Sequence, residues 1–234
     1  MALIEVIGDD NYVLIDDTFK NMIFAEKKVV SFPVVGGTYS GSVTTVSYTS
    51  TEESFPLLAI NSSFLCSQTR CTRSGNTWTW GLSCNSSGVG QSAEVYIFHI
   101  PQAVPDAGGL LQLFNGFESI VFDSNLKYMK MEKQLFMTMD NATSTAVTAG
   151  RKYAAVHSKL PAFYSLLQGS MSCGPNFRAV IEQSQLNGTS MANGSVSSAS
   201  YILWSREYCA APPFPSGSYR TKDGLCMVID VTGL

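Results

Sequence analysis

ALIEVIGDDNYVLIDDTFKNM, residues 2–22, aligns without a gap on GLLQLFNGFESIVFDSNLKYM, residues 109–129. The offset is 109 − 2 = 107 residues. Seven aligned positions pair one apolar residue with another, and four are identical: Leu3 with Leu110, Asp16 with Asp123, Lys20 with Lys127 and Met22 with Met129. We interpret the match as an internal duplication; the alternative is a chance match between two short β-hairpins. A duplicated unit favours assembly or binding over catalysis, because a catalytic site is rarely built twice.

The ends of the two halves support this interpretation. An apolar strand, 94–100, closes the first half, and a similar stretch, 225–231, ends the second. The spacing between these strands, 226 − 95 = 131 residues, exceeds 107 by 24, which predicts an insertion in the second half. The Gly/Ser/Asn-rich tract 186–200 is its expected place, as a surface loop. Prolines and glycines at 101–109 separate the halves, so we predict domains 1–105 and 106–234.

Short β-prone runs separated by turn residues predict the fold class. Asn115-Gly116, between apolar runs, is a strong hairpin signal, and it outweighs the helical spacing of Leu110, Leu113, Phe114 and Phe117. A short helix is conceivable at 160–168, where Pro161 could occupy its first turn. We expect an all-β protein with two tandem antiparallel β-sandwich-like domains; the predicted strands are 29–35, 42–48, 55–61, 78–82, 95–100, 153–157, 177–183, 201–204 and 226–231.

Composition and charge limit the partners and the compartment. The net charge of 15 − 18 = −3 is too small to indicate a nucleic-acid surface. Charged residues make up 14% of the chain, against roughly 25% in ordinary globular proteins, which favours a protein inside an assembly. The alternative is a secreted or cell-surface β-domain, which has a similar composition. The N-terminal sequence lacks the pattern of a signal peptide, and no apolar run is long enough for a membrane span. We therefore expect synthesis in a cytoplasm.

Six cysteines divide three and three between the halves: Cys66, Cys71, Cys84, Cys173, Cys209 and Cys226. Their spacings do not match a zinc site with His99 or His157. Without an export signal, buried free thiols are expected. One disulfide, Cys66–Cys71 or Cys66–Cys84, remains a possible alternative if the mature particle is extracellular.

Catalytic signatures are missing from the sequence. It contains no phosphate-binding loop, dinucleotide fingerprint, zinc-protease motif or nucleophile elbow. Cys173 could recruit His157 or His99 as a base, but both histidines lie in apolar strand contexts. The adjacent carboxylates Asp9-Asp10, Asp16-Asp17 and Glu52-Glu53 fit turns and strand ends better than a shared metal. We predict a protein that is not an enzyme, with no catalytic, cofactor-binding or metal-binding residues and no cofactor.

One cluster carries a binding signal. Trp78 and Trp80 project to the same face of a strand, and Arg70 and Arg73 lie just upstream. Such a pair can stack on sugar rings or anchor a protein partner. The alternative is that both rings fill a sandwich core.

The segments GLLQLFNG, residues 109–116, and IVFDSNLKY, residues 120–128, resemble the opening of small bacteriophage tail-associated virion proteins. The first half departs from the pattern, with Ile15-Asp16-Asp17 where the second has Phe122-Asp123-Ser124. The resemblance implies a non-enzymatic structural component of a phage tail or tail tip, assembled in several copies with other virion proteins and with itself. A receptor- or glycan-binding module on the virion surface, or a head decoration protein, is the alternative. A host surface receptor would then be a possible partner.

Overall fold

The computed structural model describes residues 6–7, 13–15, 21–34, 39–51, 54–115 and 117–234. Within these ranges the chain forms strands and one short 3₁₀ helix, Ser86–Gly88, but no α-helix. The strands of the first half are β1 (Val6–Ile7), β2 (Val13–Ile15), β3 (Ile23–Ser31), β4 (Ser42–Thr49), β5 (Leu57–Asn61), β6 (Cys66–Ser74), β7 (Thr77–Cys84) and β8 (Ser92–His99). Those of the second half are β9 (Gln112–Phe114), β10 (Ile120–Asp123), β11 (Lys130–Thr138), β12 (Thr143–Ala146), β13 (Tyr153–Lys159), β14 (Ala162–Gln168), β15 (Arg178–Ala192), β16 (Ser195–Ala210), β17 (Gly217–Thr221) and β18 (Asp223–Asp230). All pairings among these strands are antiparallel, and the all-β prediction is confirmed.

Two large sheets run through both halves. The first has the order β11-β18-β13-β5-β8-β3, and the second has the order β12-β16-β15-β6-β7-β4. In the first sheet, β3-β8-β5 of the first half corresponds to β11-β18-β13 of the second. In the second sheet, β4-β7-β6 corresponds in the same way to β12-β16-β15. The connectivity of the halves is therefore the same, except that β14 and β17 occur only in the second. At the centre, Ala155 pairs with Ile60 and Thr189 pairs with Cys66.

Alternation along the strands builds three hydrophobic cores. In β5, Leu58 and Ile60 face the second sheet and pack in the first-half core, whereas Ala59 faces the other way. A second core, which includes Met137 and Val228, lies wholly within the second half. The third core is shared, because it joins residues of the first half to residues of the second; its buried members are Ala59, Tyr96, Phe98, Ala154, Val156, Ile229 and Val231. The halves are thus packed together, and the boundary at 105/106 stays a prediction.

Buried hydrogen bonds also join the halves. The Tyr201 hydroxyl of β16 lies 2.6 Å from Ser67 Oγ and 2.7 Å from Ser83 Oγ, and those two hydroxyl oxygens are 3.1 Å apart. All three residues are buried. Burial raises the pKa of Tyr201 well above its ordinary value, so its phenol stays protonated.

An ion cluster near the junction adds a second link. Glu94 of β8 pairs with Lys27 of the same half at 3.2 Å and with Lys152 of the other half. Burial would raise the pKa of Glu94, but the bonds from Lys152, Tyr96 and Lys27 outweigh it and lower the pKa to about 2.

Two sequence predictions are wrong. Residues 162–168 form strand β14 instead of a helix, because β14 pairs with β15 on one side and β17 on the other. The tract 186–200 is not a surface loop. It belongs to the long β15–β16 hairpin, whose turn at Asn193-Gly194 uses a glycine φ of +76°, and Asn187, Thr189 and Ser198 in it are buried.

Candidate functional site

The tryptophan pair lies in the first-half core. Trp78 and Trp80 alternate on β7 with residues that face outward, as predicted, and their rings point toward the first sheet. Trp80 is fully buried and Trp78 nearly so. Neither indole N–H has a hydrogen-bond partner among the described residues. Both rings therefore fill the core, which was the alternative to a binding role. A partner could contact only the small exposed part of Trp78.

The two arginines lie on opposite faces of the second sheet. Arg73 pairs with Trp78, and its guanidinium lies 5.0 Å from the centre of that ring, while Phe55 packs edge-on against the ring at 4.9 Å. Arg70 pairs with Gly81 on the outer face, beside Val43 and Thr69. The predicted set of four is therefore not brought together, and the partner-binding role of Arg70 and Arg73 stays a prediction.

The groups considered for catalysis have structural partners instead. Cys173 forms a disulfide with Cys209, so it carries no thiol, and this bond was not expected from the sequence. The other four cysteines are free, three of them buried, which agrees with the expected thiols; neither Cys66–Cys71 nor Cys66–Cys84 is bonded. His157 is buried with Nε2 3.2 Å from Thr189 Oγ1, and burial lowers its pKa to about 4. The three acidic pairs fall outside the described residues, as does the turn 8–12.

A set of hydrogen bonds to Asp123 holds the hairpin of the repeated segment 109–129. β9 and β10 pair as the hairpin predicted for this half, while Gly116 of the predicted Asn115-Gly116 turn lies outside the described residues; β1 pairs with β2 in the other half. The buried Asp123 carboxylate accepts bonds from Gln112 Nε2 and from the backbone N–H groups of Ala107, Gly109 and Asn125, at 2.8 to 3.2 Å. The bond from Gln112, together with these N–H groups, lowers the pKa of Asp123 to about 2. Asp123 is one of the four identities of the repeat, and its role in the second half is to hold this hairpin.

The same hairpin exposes apolar side chains. Leu110 is fully exposed, Phe117 is 90% exposed, and Leu111 and Phe114 are about half exposed. Leu113 and Val121, by contrast, are buried. We name residues 109–124 the apolar hairpin. Soluble monomers rarely display several large apolar side chains so close together, so this hairpin is the candidate docking surface.

The apolar hairpin leads into the place where the halves meet. Phe24 N donates to Lys127 O at 2.7 Å, and Met129 N donates to Met22 O at 2.9 Å. Met22 and Met129 are equivalent in the repeat, so corresponding segments of the two halves lie side by side here. The sequence match found this region but not its exposure, because apolar residues at consecutive positions such as Leu110 and Leu111 normally indicate burial on both faces.

Comparison with known proteins gives no relative: no family model matches the chain, and neither a curated protein nor a solved structure matches it. In the described part of the chain, no helix is long and apolar enough to cross a membrane. No group of three His, Cys, Asp or Glu residues that could hold a metal ion occurs in that same part.

Proposed function

We propose that this protein is a non-enzymatic structural component of a bacteriophage virion, part of the tail or tail tip and present in several copies. The observation that carries the proposal is the apolar hairpin. Asp123 holds the backbone at the base of the hairpin, and Asn115 Oδ1 accepts bonds from Phe117 N and Ser119 N at its tip. Leu110, Leu111, Phe114 and Phe117 are exposed on this hairpin. A neighbouring subunit that covers these side chains removes them from water and stabilises the assembly.

The end strands of the second sheet supply further docking positions. Lys28 Nζ already bonds Ser47 O of β4, and Lys133 Nζ bonds Ala146 O of β12, so an added strand would use the other backbone groups of these edges. β4 and β12 each pair with one strand in the described part of the second sheet. Val43 on β4 is exposed, and both strands consist mainly of Ser, Thr, Ala and Val. Such an edge can accept a strand from another virion protein or from a further copy of this chain.

The repeated connectivity supports assembly over catalysis. We infer that the two halves arose by internal duplication, since the strand order, the offset of 107 residues and the equivalent Met22–Met129 contact agree. Duplicated units with a shared core suit a subunit that contacts similar neighbours twice.

Electron cryomicroscopy of the phage particle that encodes this chain tests the proposal. We expect ordered copies in a ring or at the tip of the tail, with the apolar hairpin buried against a neighbour. A chain that is absent from the purified particle would refute the proposal.

A matched pair of variants tests the docking surface itself. Leu110→Ser combined with Phe117→Ser is expected to reduce incorporation into the particle while leaving the melting temperature of the isolated chain unchanged. Phe136→Ser changes an apolar side chain that is 72% exposed on β11, away from the hairpin, and should incorporate normally. Equal incorporation of all variants would show that the hairpin is not the contact.

A further inference from the structure

The second half carries an extension that the first half lacks. β15 and β16 have 15 and 16 residues, whereas the corresponding β6 and β7 have 9 and 8. The additional length pairs with β14, and β14 pairs with β17. We name this four-stranded part, with the order β17-β14-β15-β16, the extension; it comprises 162–168, 178–186, 201–210 and 217–221.

The loop between β14 and β15, residues 169–177, is bound to one face of the extension. The Glu207 carboxylate accepts hydrogen bonds from the backbone N–H groups of Ser170 and Met171, at 2.5 and 2.6 Å. Two residues further along β16, on the same face, Cys209 forms the disulfide with Cys173. The loop after β14 is thereby fastened over this face at two points.

The opposite face carries aromatic rings around one ion pair. The strand register places Tyr219, Tyr164 and Trp204 in one row across the sheet, with Ser184 between the last two. The next row holds Glu182 and Arg206, and the row after that holds Tyr208. Tyr219 is 68% exposed, and the rings of Tyr164, Trp204 and Tyr208 are partly exposed. We name six of these residues, Tyr164, Glu182, Trp204, Arg206, Tyr208 and Tyr219, the aromatic face.

Internal contacts preorganise the aromatic face. Tyr164 donates to Glu182 Oε1 at 2.6 Å, and Arg206 Nε donates to Glu182 Oε2 at 2.6 Å. The Arg206 guanidinium lies 5.1 Å from the centre of the Tyr208 ring and 6.0 Å from that of Trp204. The bonds from Tyr164 and Arg206 lower the pKa of Glu182, which stays ionised as an acceptor. Rings and charges are thus already oriented before any ligand arrives, which reduces the entropic cost of binding.

We propose that the aromatic face is a binding site for an oligosaccharide. A sugar ring offers C–H groups that pack on aromatic rings and hydroxyls that both donate and accept hydrogen bonds. Tyr219, Tyr164 and Trp204 supply the rings, while Glu182 and Arg206 supply a fixed acceptor and a fixed donor between them. Adjacent strands lie about 4.8 Å apart, so Tyr219 and Tyr164 are separated by roughly the length of one sugar unit, and Tyr164 and Trp204, with Ser184 between them, by roughly two.

The ion pair favours a sugar over a protein partner. A protein contact centred here would have to bury Glu182 and Arg206 away from water, which costs more than burying neutral side chains. Sugar hydroxyls instead replace the water molecules around both charges. Two aliphatic residues lie in these rows: Leu166, which is partly exposed, and Val180, which is buried opposite Tyr208. The proposed site goes beyond the structural role and does not depend on it.

Fluorescence offers a direct readout, because the chain has three tryptophans and two of them are buried in the first-half core. The intact protein should bind members of an array of bacterial and eukaryotic oligosaccharides. Titration with the bound sugar in soluble form should change the emission of Trp204. Trp204→Phe is expected to abolish that change, and Tyr219→Ala to weaken binding about tenfold, as the loss of one stacked ring implies.

Phe117→Ala is the matched control, since it removes an exposed aromatic ring outside the aromatic face and should leave sugar affinity unaltered. Thermal melts that match the wild type would show that the variants are folded. The proposal is overturned if no sugar on the array binds, if Tyr219→Ala binds as tightly as the wild type, or if the face captures only a protein. None of these outcomes affects the location of the chain in a virion, which electron cryomicroscopy decides separately.

Discussion

Tyr201→Phe tests whether the buried hydroxyl network holds the two halves together. The phenol oxygen lies 2.6 Å from Ser67 Oγ, 2.7 Å from Ser83 Oγ and 3.2 Å from Ser83 O. Each hydrogen bond contributes about 1 kcal/mol net. Ser67 and Ser83 can still bond to each other at 3.1 Å, so neither hydroxyl loses every partner. We therefore expect the free energy of unfolding to fall by about 2 kcal/mol.

Urea unfolding measures this loss. Tryptophan emission reports chiefly on the first half through Trp78 and Trp80, while far-ultraviolet circular dichroism reports on all strands. Because Tyr201 belongs to the second half and its partners to the first, both signals should shift together. The expected change is a lower midpoint with an unaltered slope.

Two comparison variants sharpen the test. Tyr219→Phe makes the same chemical change at an exposed site and should alter stability by less than about 0.5 kcal/mol. The triple variant Ser67→Ala, Ser83→Ala, Tyr201→Phe removes all three hydroxyls, so its loss should be clearly smaller than the sum of the three single losses. A Tyr201→Phe protein as stable as the wild type, or a probe difference showing that the halves unfold separately, would refute the reasoning.

Two further predictions follow from buried or bonded groups. Replacing Cys173 and Cys209 by serine should lower the free energy of unfolding by about 3 to 4 kcal/mol, because the bond closes a loop between residues 36 apart; a reducing agent should destabilise the wild type but not this variant, and equal stability of the two proteins would contradict it. Burial lowers the pKa of His157 to about 4 in the folded chain, against about 6.5 in the unfolded chain, so the folded state loses stability as the pH falls from 6.5 to 4, by up to about 3 kcal/mol. In His157→Gln, the free energy of unfolding should depend less on pH across that window. Urea unfolding at several pH values measures it, and the same pH dependence as in the wild type would disprove this assignment.

Strand patterns that depend on one sheet could be predicted, and those that depend on distant pairing could not. The alternation in 42–48 predicted β4 almost to the residue, because one of its faces is buried and the other is not. Pro161 suggested a helix at 160–168, yet pairing with β15 and β17 overrode that local signal.

Polar composition misled the prediction for 186–200. By composition, Ser, Thr, Asn and Gly indicate a solvent-facing loop, whereas the folded chain buries several of them and gives most of their polar groups hydrogen-bond partners. Asn187 Nδ2 donates to Thr138 O at 2.7 Å, and Ser198 Oγ lies 2.9 Å from Thr143 Oγ1. Gly188 is needed at the centre of the sheet, since a Cβ there would lie 2.8 Å from the Tyr201 ring and 3.0 Å from the Cys66 backbone. None of these partners is adjacent in sequence.

The candidate surfaces were harder to predict than the fold for the same reason. The sequence repeat located the apolar hairpin, but only the folded structure shows that Leu110 and Phe117 remain exposed. The aromatic face joins residues from four strands, from Tyr164 to Tyr219, and no local motif unites them. The tryptophans that formed a motif, Trp78 and Trp80, fill the core instead.

The division between repeated and unrepeated structure links the two proposals. Strands common to both halves build the shared core and the two equivalent end strands of the second sheet, β4 and β12, and corresponding segments of the halves meet at Met22 and Met129. These features suit a subunit that contacts neighbours in an assembly. β14 and β17 add nothing to the shared core. They instead complete a face with an ion pair and exposed rings, at the end of a hairpin that projects beyond its counterpart in the first half. Removing the aromatic face should therefore leave assembly intact, whereas changing the apolar hairpin should impair assembly without altering sugar binding.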